Sequence, residues 1–285
     1  MAGSFALSIR RESSVISSIR DGAEASSVAS AGIVIAQQML LNPVREERWL
    51  ANGEVYSVEY ADSEIRIQVY SEQGKININK ANKKLLKNMI KYFSYGDDED
   101  EQAKKIADSI LDWRDSNSSV RLDGAEKDEY SDEGLQYEPR NKPFQSIEEL
   151  QLVLGMDSEI FRQIEPMITI FSTKATPDEN SASQDILYIL EAKTAEDQDR
   201  DIESMKQKEQ DKDKLFDSEK KKPATTTQGA FTVISEARLI NGAKSTIKAI
   251  IKRQASSNKN KPFSVVAWAK LHGSEQSLFE AEVEQ

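Results

Sequence analysis

Gly74-Lys75-Ile76-Asn77-Ile78-Asn79-Lys80-Ala81 stands where one kind of sequence gives way to another. Ahead of it, apolar and polar residues alternate with the period of a strand. Behind it, Leu85, Leu86, Met89 and Ile90 recur with the period of a helix. A chain that changes period here and changes back near its C-terminus predicts a helical segment inserted between strands.

Upstream, residues 54–60 and 64–71 read as a hairpin. Val55, Ser57 and Glu59, then Ile65, Ile67 and Val69, alternate with their neighbours, and Ala61-Asp62-Ser63 supply the turn. Further upstream, residues 4–41 read as one long helix. They lack proline, and Val15, Ile16, Ile19, Ala23, Val28, Ala31, Val34, Ile35 and Met39 suggest an apolar stripe that Asn42-Pro43 ends. At 1.5 Å per residue, a helix of over ~50 Å outruns a small domain, so one end is expected to project.

Downstream of the opening motif, further helices are expected around Ile106, Ile110, Leu111 and Trp113, over Ile147–Leu154, and over Ser158–Ile164. Residues 173–228 are dominated by Asp, Glu, Lys, Gln and Ser, with one apolar island, Ile186–Leu190, assigned here to a strand. Residues 193–228 are expected to be a mobile loop or a lone charged helix, because such a composition buries too little to offset ordering entropy. Strands are expected again at 231–240, 244–253 and 262–271, the first two joined by the hairpin signal Asn241-Gly242. The fold class is therefore α+β: a long N-terminal helix on an antiparallel sheet, with an inserted all-helical domain. The divisions are 1–74 for the helix and first strands, 75–170 for the helical insert, 171–230 for a strand and charged loop, and 231–285 for the last strands.

Composition removes several functions. The chain has 285 residues, with 49 acidic against 38 basic and a net charge of -11. That charge repels duplex nucleic acid unless a basic patch is segregated. Without cysteine there is no disulfide, thiolate zinc site or cysteine nucleophile. One histidine, His272, leaves little for a Ser-His-Asp relay and reads as an exposed strand-end residue. No run approaches the roughly 18 apolar residues of a membrane span. Met1-Ala2-Gly3-Ser4 leads straight into the helical pattern, which suggests a chain trimmed of a targeting segment.

Two stretches could carry chemistry. The opening motif and Pro143-Phe144-Gln145-Ser146-Ile147-Glu148-Glu149-Leu150 with Gly155 look like halves of a tandem helix-hairpin-helix module, which in DNA-binding versions offers backbone amides to phosphate. Here the turn Gly155-Met156-Asp157-Ser158-Glu159 is acidic, and Ser146 with Glu149 matches a capping box, so packing and capping is the preferred reading. The second stretch is Asp112-Trp113-Arg114-Asp115 followed by Asp123-Gly124-Ala125-Glu126 and Asp128-Glu129-Tyr130. Carboxylates spaced closely around glycine suit a hard, oxygen-seeking ion such as calcium. A solvated acidic loop accounts for the same residues, and on residue chemistry both readings stay open. A carboxylate-dependent hydrolase is a third class, but no single pair of acids stands out.

The run Gly74–Asn79, then Ala107-Asp108-Ser109-Ile110-Leu111-Asp112-Trp113-Arg114-Asp115, Gly124-Ala125-Glu126 with Tyr130, Tyr137-Glu138-Pro139-Arg140-Asn141, Pro143-Phe144, and Glu148-Glu149-Leu150 leading to Gly155, resembles the general secretion pathway protein K family, the large minor pseudopilins of type II secretion systems. The resemblance covers about residues 74–170. It implies a pilin-like fold and a non-enzymatic subunit at the pseudopilus tip. Such a subunit assembles with I-type and J-type minor pseudopilins into a heterotrimer, here expected through helix 4–41. It initiates or caps the filament of the major pseudopilin and supports export of folded proteins, with secreted substrates as further contacts and no nucleic acid. It implies a periplasmic domain anchored in the inner membrane only through an N-terminal segment absent from this sequence. It also implies calcium in the helical domain, with Asp112, Asp115, Asp123 and Glu126 as the expected ligands.

Overall fold

The structure, a computed structural model, describes residues 2–94, 98–192, 229–254, 262–271 and 277–279. His272 and the charged stretch 193–228 lie outside the described residues. In chain order the elements are α1 (Ala2–Met39), β1 (Asn52–Tyr60), β2 (Ser63–Ser71), β3 (Ile76–Asn77), α2 (Lys83–Phe93), α3 (Glu99–Arg114), α4 (Lys127–Asp132), α5 (Ser158–Ile164), β4 (Ile168–Thr169), α6 (Gln184–Glu191), β5 (Ala230–Leu239), β6 (Lys244–Arg253) and β7 (Phe263–Leu271). Short 3-10 turns lie at Arg45–Glu47, Glu72–Gly74, Ile147–Leu152 and Glu165–Met167. The chain divides into two compact units, residues 1–72 with 224–285, and residues 73–223.

The first unit is α1 on a five-stranded antiparallel sheet of order β1-β2-β5-β6-β7. Alternation buries Ile65, Ile67 and Val69 of β2, Phe231 and Val233 of β5, and Ile247, Ala249 and Ile251 of β6 on the helix side. The helix meets them with Ala29, Ile33, Ala36 and Leu40. The stripe read in the sequence is met only in part: Val28 and Ile35 pack against this core, whereas Val15, Ile16, Ile19 and Val34 prove exposed. The reason is distance. A β-carbon on Gly32 would stand 2.1 Å from Ser235 Oγ and 3.0 Å from Ile65 Cγ2, so this approach of helix to sheet admits only small side chains at its centre.

The second unit is helical around one core that includes Leu86, Met89, Ile106, Ile110, Trp113, Tyr130, Phe144 and Ile164. The two-residue parallel ladder of β3 with β4 ties its first strand to its last. Asn82 caps α2, its side chain accepting the Leu85 N–H at 2.9 Å. The island at Ile186–Leu190 is helix, not strand. Ser183 caps it, and Ile186 and Ile189, three apart, share its buried face. The expected Ser146–Glu149 capping box does not form. Glu149 instead accepts the Gln145 N–H at 2.9 Å and the Arg140 guanidinium at 2.8 Å, and the segment is a 3-10 turn.

Candidate functional site: the acidic loop of the helical unit

Helix α3 delivers Asp112 from its last turn and Asp115 from its C-cap, and the loop to α4 delivers Arg121, Asp123, Gly124 and Glu126. Asp112 is fully buried. The Arg121 guanidinium bridges it to Asp115, and the Arg121 backbone N–H donates to Asp112 Oδ2 at 3.2 Å. A β-carbon on Gly124 would lie 1.9 Å from Asp112 Oδ2, so glycine lets the loop close over the carboxylate. Burial pushes the Asp112 carboxyl above its ordinary range, and the Arg121 bonds only partly oppose it.

Glu126 is 6% exposed, and its Oε1 has no hydrogen-bond partner. Its carboxyl is raised first by burial, then by the charge of Asp112 and, more weakly, of Asp115 and Glu129, while Asn141 pulls the other way. Asn141 sits at φ 50°, and its Oδ1 is a second buried acceptor without a donor. Both residues line a cavity of about 380 Å3 whose wall also includes Ser118, Asp128, Glu129 and Glu138. Lys127 reaches the same wall and pairs with Glu138 at 3.0 Å.

Of the four residues expected as ligands, the structure brings Asp112, Asp115 and Glu126 within electrostatic reach of one another. The charge of Asp123 is felt instead by Lys104. Asp112 and Asp115 already hold a cation, the guanidinium. Among the described residues no three carboxylate or imidazole groups could hold one ion by themselves. The fit to a hard cation lies at the other end of the loop, where Glu126 Oε1 and Asn141 Oδ1 are buried acceptors without donors on two residues that line an oxygen-rich cavity. An ion there would complete its shell with backbone, amide or water oxygens, as calcium does. Sequence reasoning passed over Arg121, Glu138 and Asn141. The last two lay in the quoted run Tyr137–Asn141, whose role only the folded loop discloses.

The turn considered for phosphate gives a plain answer. Gly155 adopts φ +85°, and Asp157 caps α5 by accepting the Ile160 N–H at 2.7 Å. A carboxylate therefore stands at the helix start where a phosphate would have to approach.

Residues 68–173 match the family model described as "Type II secretion system (T2SS), protein K". The type II secretion system protein K of Dickeya chrysanthemi is 33% identical over 69 residues, 24% of this chain and 18% of that protein. Its counterpart in Klebsiella pneumoniae is 24% identical over 139 residues, 43% of this chain and 40% of that protein. The chain thus spans well under half the length of these relatives. In fold, 93% of it superposes on 99% of a chain in the crystal structure of the GspK-GspI-GspJ complex from the enterotoxigenic Escherichia coli type 2 secretion system, with a TM-score of 0.55 and 18% identity. The fold is accordingly the pilin-like α+β arrangement, a long helix on an antiparallel sheet with a helical insert. Over residues 68–173 this chain is thus similar to protein K of type II secretion systems.

Proposed function

We propose that this chain is a minor pseudopilin, an assembly subunit at the tip of the type II secretion pseudopilus that acts through its surfaces and not through catalysis. The observation that carries the reading is the joint one: a protein K domain lying between the strands of a helix-on-sheet fold. Its partners would be I-type and J-type minor pseudopilins, the kind of assembly named for the E. coli complex whose chain shares the fold. Helix α1 supports this. Val15, Ile16 and Ile19 are 57%, 66% and 69% exposed, an apolar surface that the sheet leaves bare. Among the described residues no helix is long and apolar enough to cross a membrane. A periplasmic site follows from the pseudopilin reading. Nothing favours the helix-hairpin-helix nucleic-acid alternative, since the net charge is -11 and a carboxylate sits at the turn.

Calcium belongs to the same proposal. Held at Glu126 and Asn141, it would offset the like charges of Asp112, Asp115 and Glu129 and fix the loop between α3 and α4, a structural role and not a chemical one. The assembly reading is tested by mixing the chain with I-type and J-type subunits and measuring mass by light scattering. A 1:1:1 species is expected, weakened when Ile16 and Ile19 are both changed to Ser. No association at micromolar concentrations would overturn it.

A further inference from the structure

Charge is segregated along this chain. Residues 237–274 contain eight lysines and arginines and no acidic residue, while residues 275–285 contain four glutamates and no basic one. The described part of that acidic tail, 277–279, is seated on the sheet face turned away from α1. There Glu64 and Arg66 of β2 stand opposite Arg238 and Glu236 of β5 in register. Glu236, 2% exposed, accepts the Ser277 hydroxyl at 3.0 Å and the Leu278 N–H. Arg66 donates to the Leu278 carbonyl at 3.0 Å. The Phe279 ring lies under two guanidiniums, 4.2 Å from Arg238 and 4.5 Å from Arg66, with the Lys244 ammonium at 5.9 Å. Leu278 and Phe279 are 6% and 9% exposed. Glu64 holds both arginines in place, at 3.1 Å and 2.8 Å.

Backbone donor and hydroxyl of one short segment are met by the two oxygens of Glu236, its backbone acceptor by Arg66, and its aromatic ring by Arg66 and Arg238. A tail that merely collapsed onto the sheet would not require a nearly fully buried carboxylate to receive its N–H, because an unmatched charge there is costly. We propose that this face of β2 and β5 is a peptide-docking site for an acidic segment with a Ser-Leu-Phe core, occupied in the resting chain by its own residues 277–279 and able to take the same segment from a second copy. Cation–π contacts read the ring, and the net charge of the basic strands favours an acidic peptide over a basic one. The proposal does not depend on the secretion reading.

The test uses the full chain with Leu278→Ser and Phe279→Ser, which vacates the site, and a labelled synthetic peptide of residues 275–285. Fluorescence anisotropy should show this variant binding the peptide at least about tenfold more tightly than the wild type, whose tethered tail competes at high effective concentration. The tighter binding should fade as salt is raised. A folded variant that binds no better than wild type overturns the proposal. Should the variant fail to fold, hydrogen exchange on the wild-type chain decides. A Leu278 amide protected against exchange, and exchanging about tenfold faster in Glu236→Gln, supports the site. A Leu278 amide exchanging at the free-peptide rate in the wild type overturns it.

Discussion

Asp112 and Glu126 are both buried carboxylates, yet the loop treats them differently. Asp112 is matched by Arg121 and covered at Gly124, whereas Glu126 keeps an oxygen with no donor. That difference predicts which substitution silences a calcium response. In thermal melts with calcium and with chelator, the wild type should gain about 2.7 kcal/mol at a hundredfold excess of ion over its dissociation constant. Glu126→Gln should lose most of that gain and Asp123→Asn should keep it. A chelator without effect on the wild type would leave the loop as solvated acid. The pH dependence without ion has a definite sign. Folding raises the Asp112 and Glu126 carboxyls above their ordinary 3.8 and 4.5, so the folded state binds protons more tightly than the unfolded one. Their contribution is fully present below those ordinary values and is lost as pH climbs through the raised ones. Compared with Glu126→Gln, the wild type in chelator should therefore lose melting temperature as pH rises from about 4, and calcium should remove that difference.

At the level of elements, two glycines of α1 make opposite predictions from one substitution. A methyl group on Gly22 would meet nothing within 4 Å, so Gly22→Ala should stabilise by about 0.5–1 kcal/mol, the usual helix-interior gain. Gly32 has Ser235 and Ile65 in that space, so Gly32→Ala should destabilise by about 1–3 kcal/mol through overpacking. Urea midpoints of the two variants check both signs. The same contact explains what the sequence could and could not disclose. Strands were legible because alternation is written residue by residue: 64–71 and 231–240 lie within a residue of β2 and β5 at each end. The face of α1 was only partly legible, because its buried line includes Ala29, Gly32 and Ala36, which carry little hydrophobic signal, while Val15, Ile16, Ile19 and Val34 stay outside. Helix α6 was misread because a five-residue apolar run has no period of its own. Its cap at Ser183 was the better clue. The acidic loop was visible as composition, but which oxygens lack donors depends on Arg121, and that is decided only by folding.

Across the whole molecule, the helical unit enters after β2 and leaves before β5, and those two strands are antiparallel neighbours in the sheet, with Ser71 opposite Phe231. The insertion thus fills the position of a hairpin turn. In an ancestor-like or engineered chain, a tight turn could replace residues 73–229 without breaking one rung of the ladder. For a flexible connection, closing a short turn in place of so long a loop saves about 3 kcal/mol of closure entropy. A shortened chain with Asn-Gly in that turn should fold cooperatively, with the circular-dichroism signature of α1 on its sheet. Aggregation or a molten product would mean that the sheet needs its guest. If it folds, the pilin-like part is a socket, and the domain it displays can be exchanged for another as a cassette.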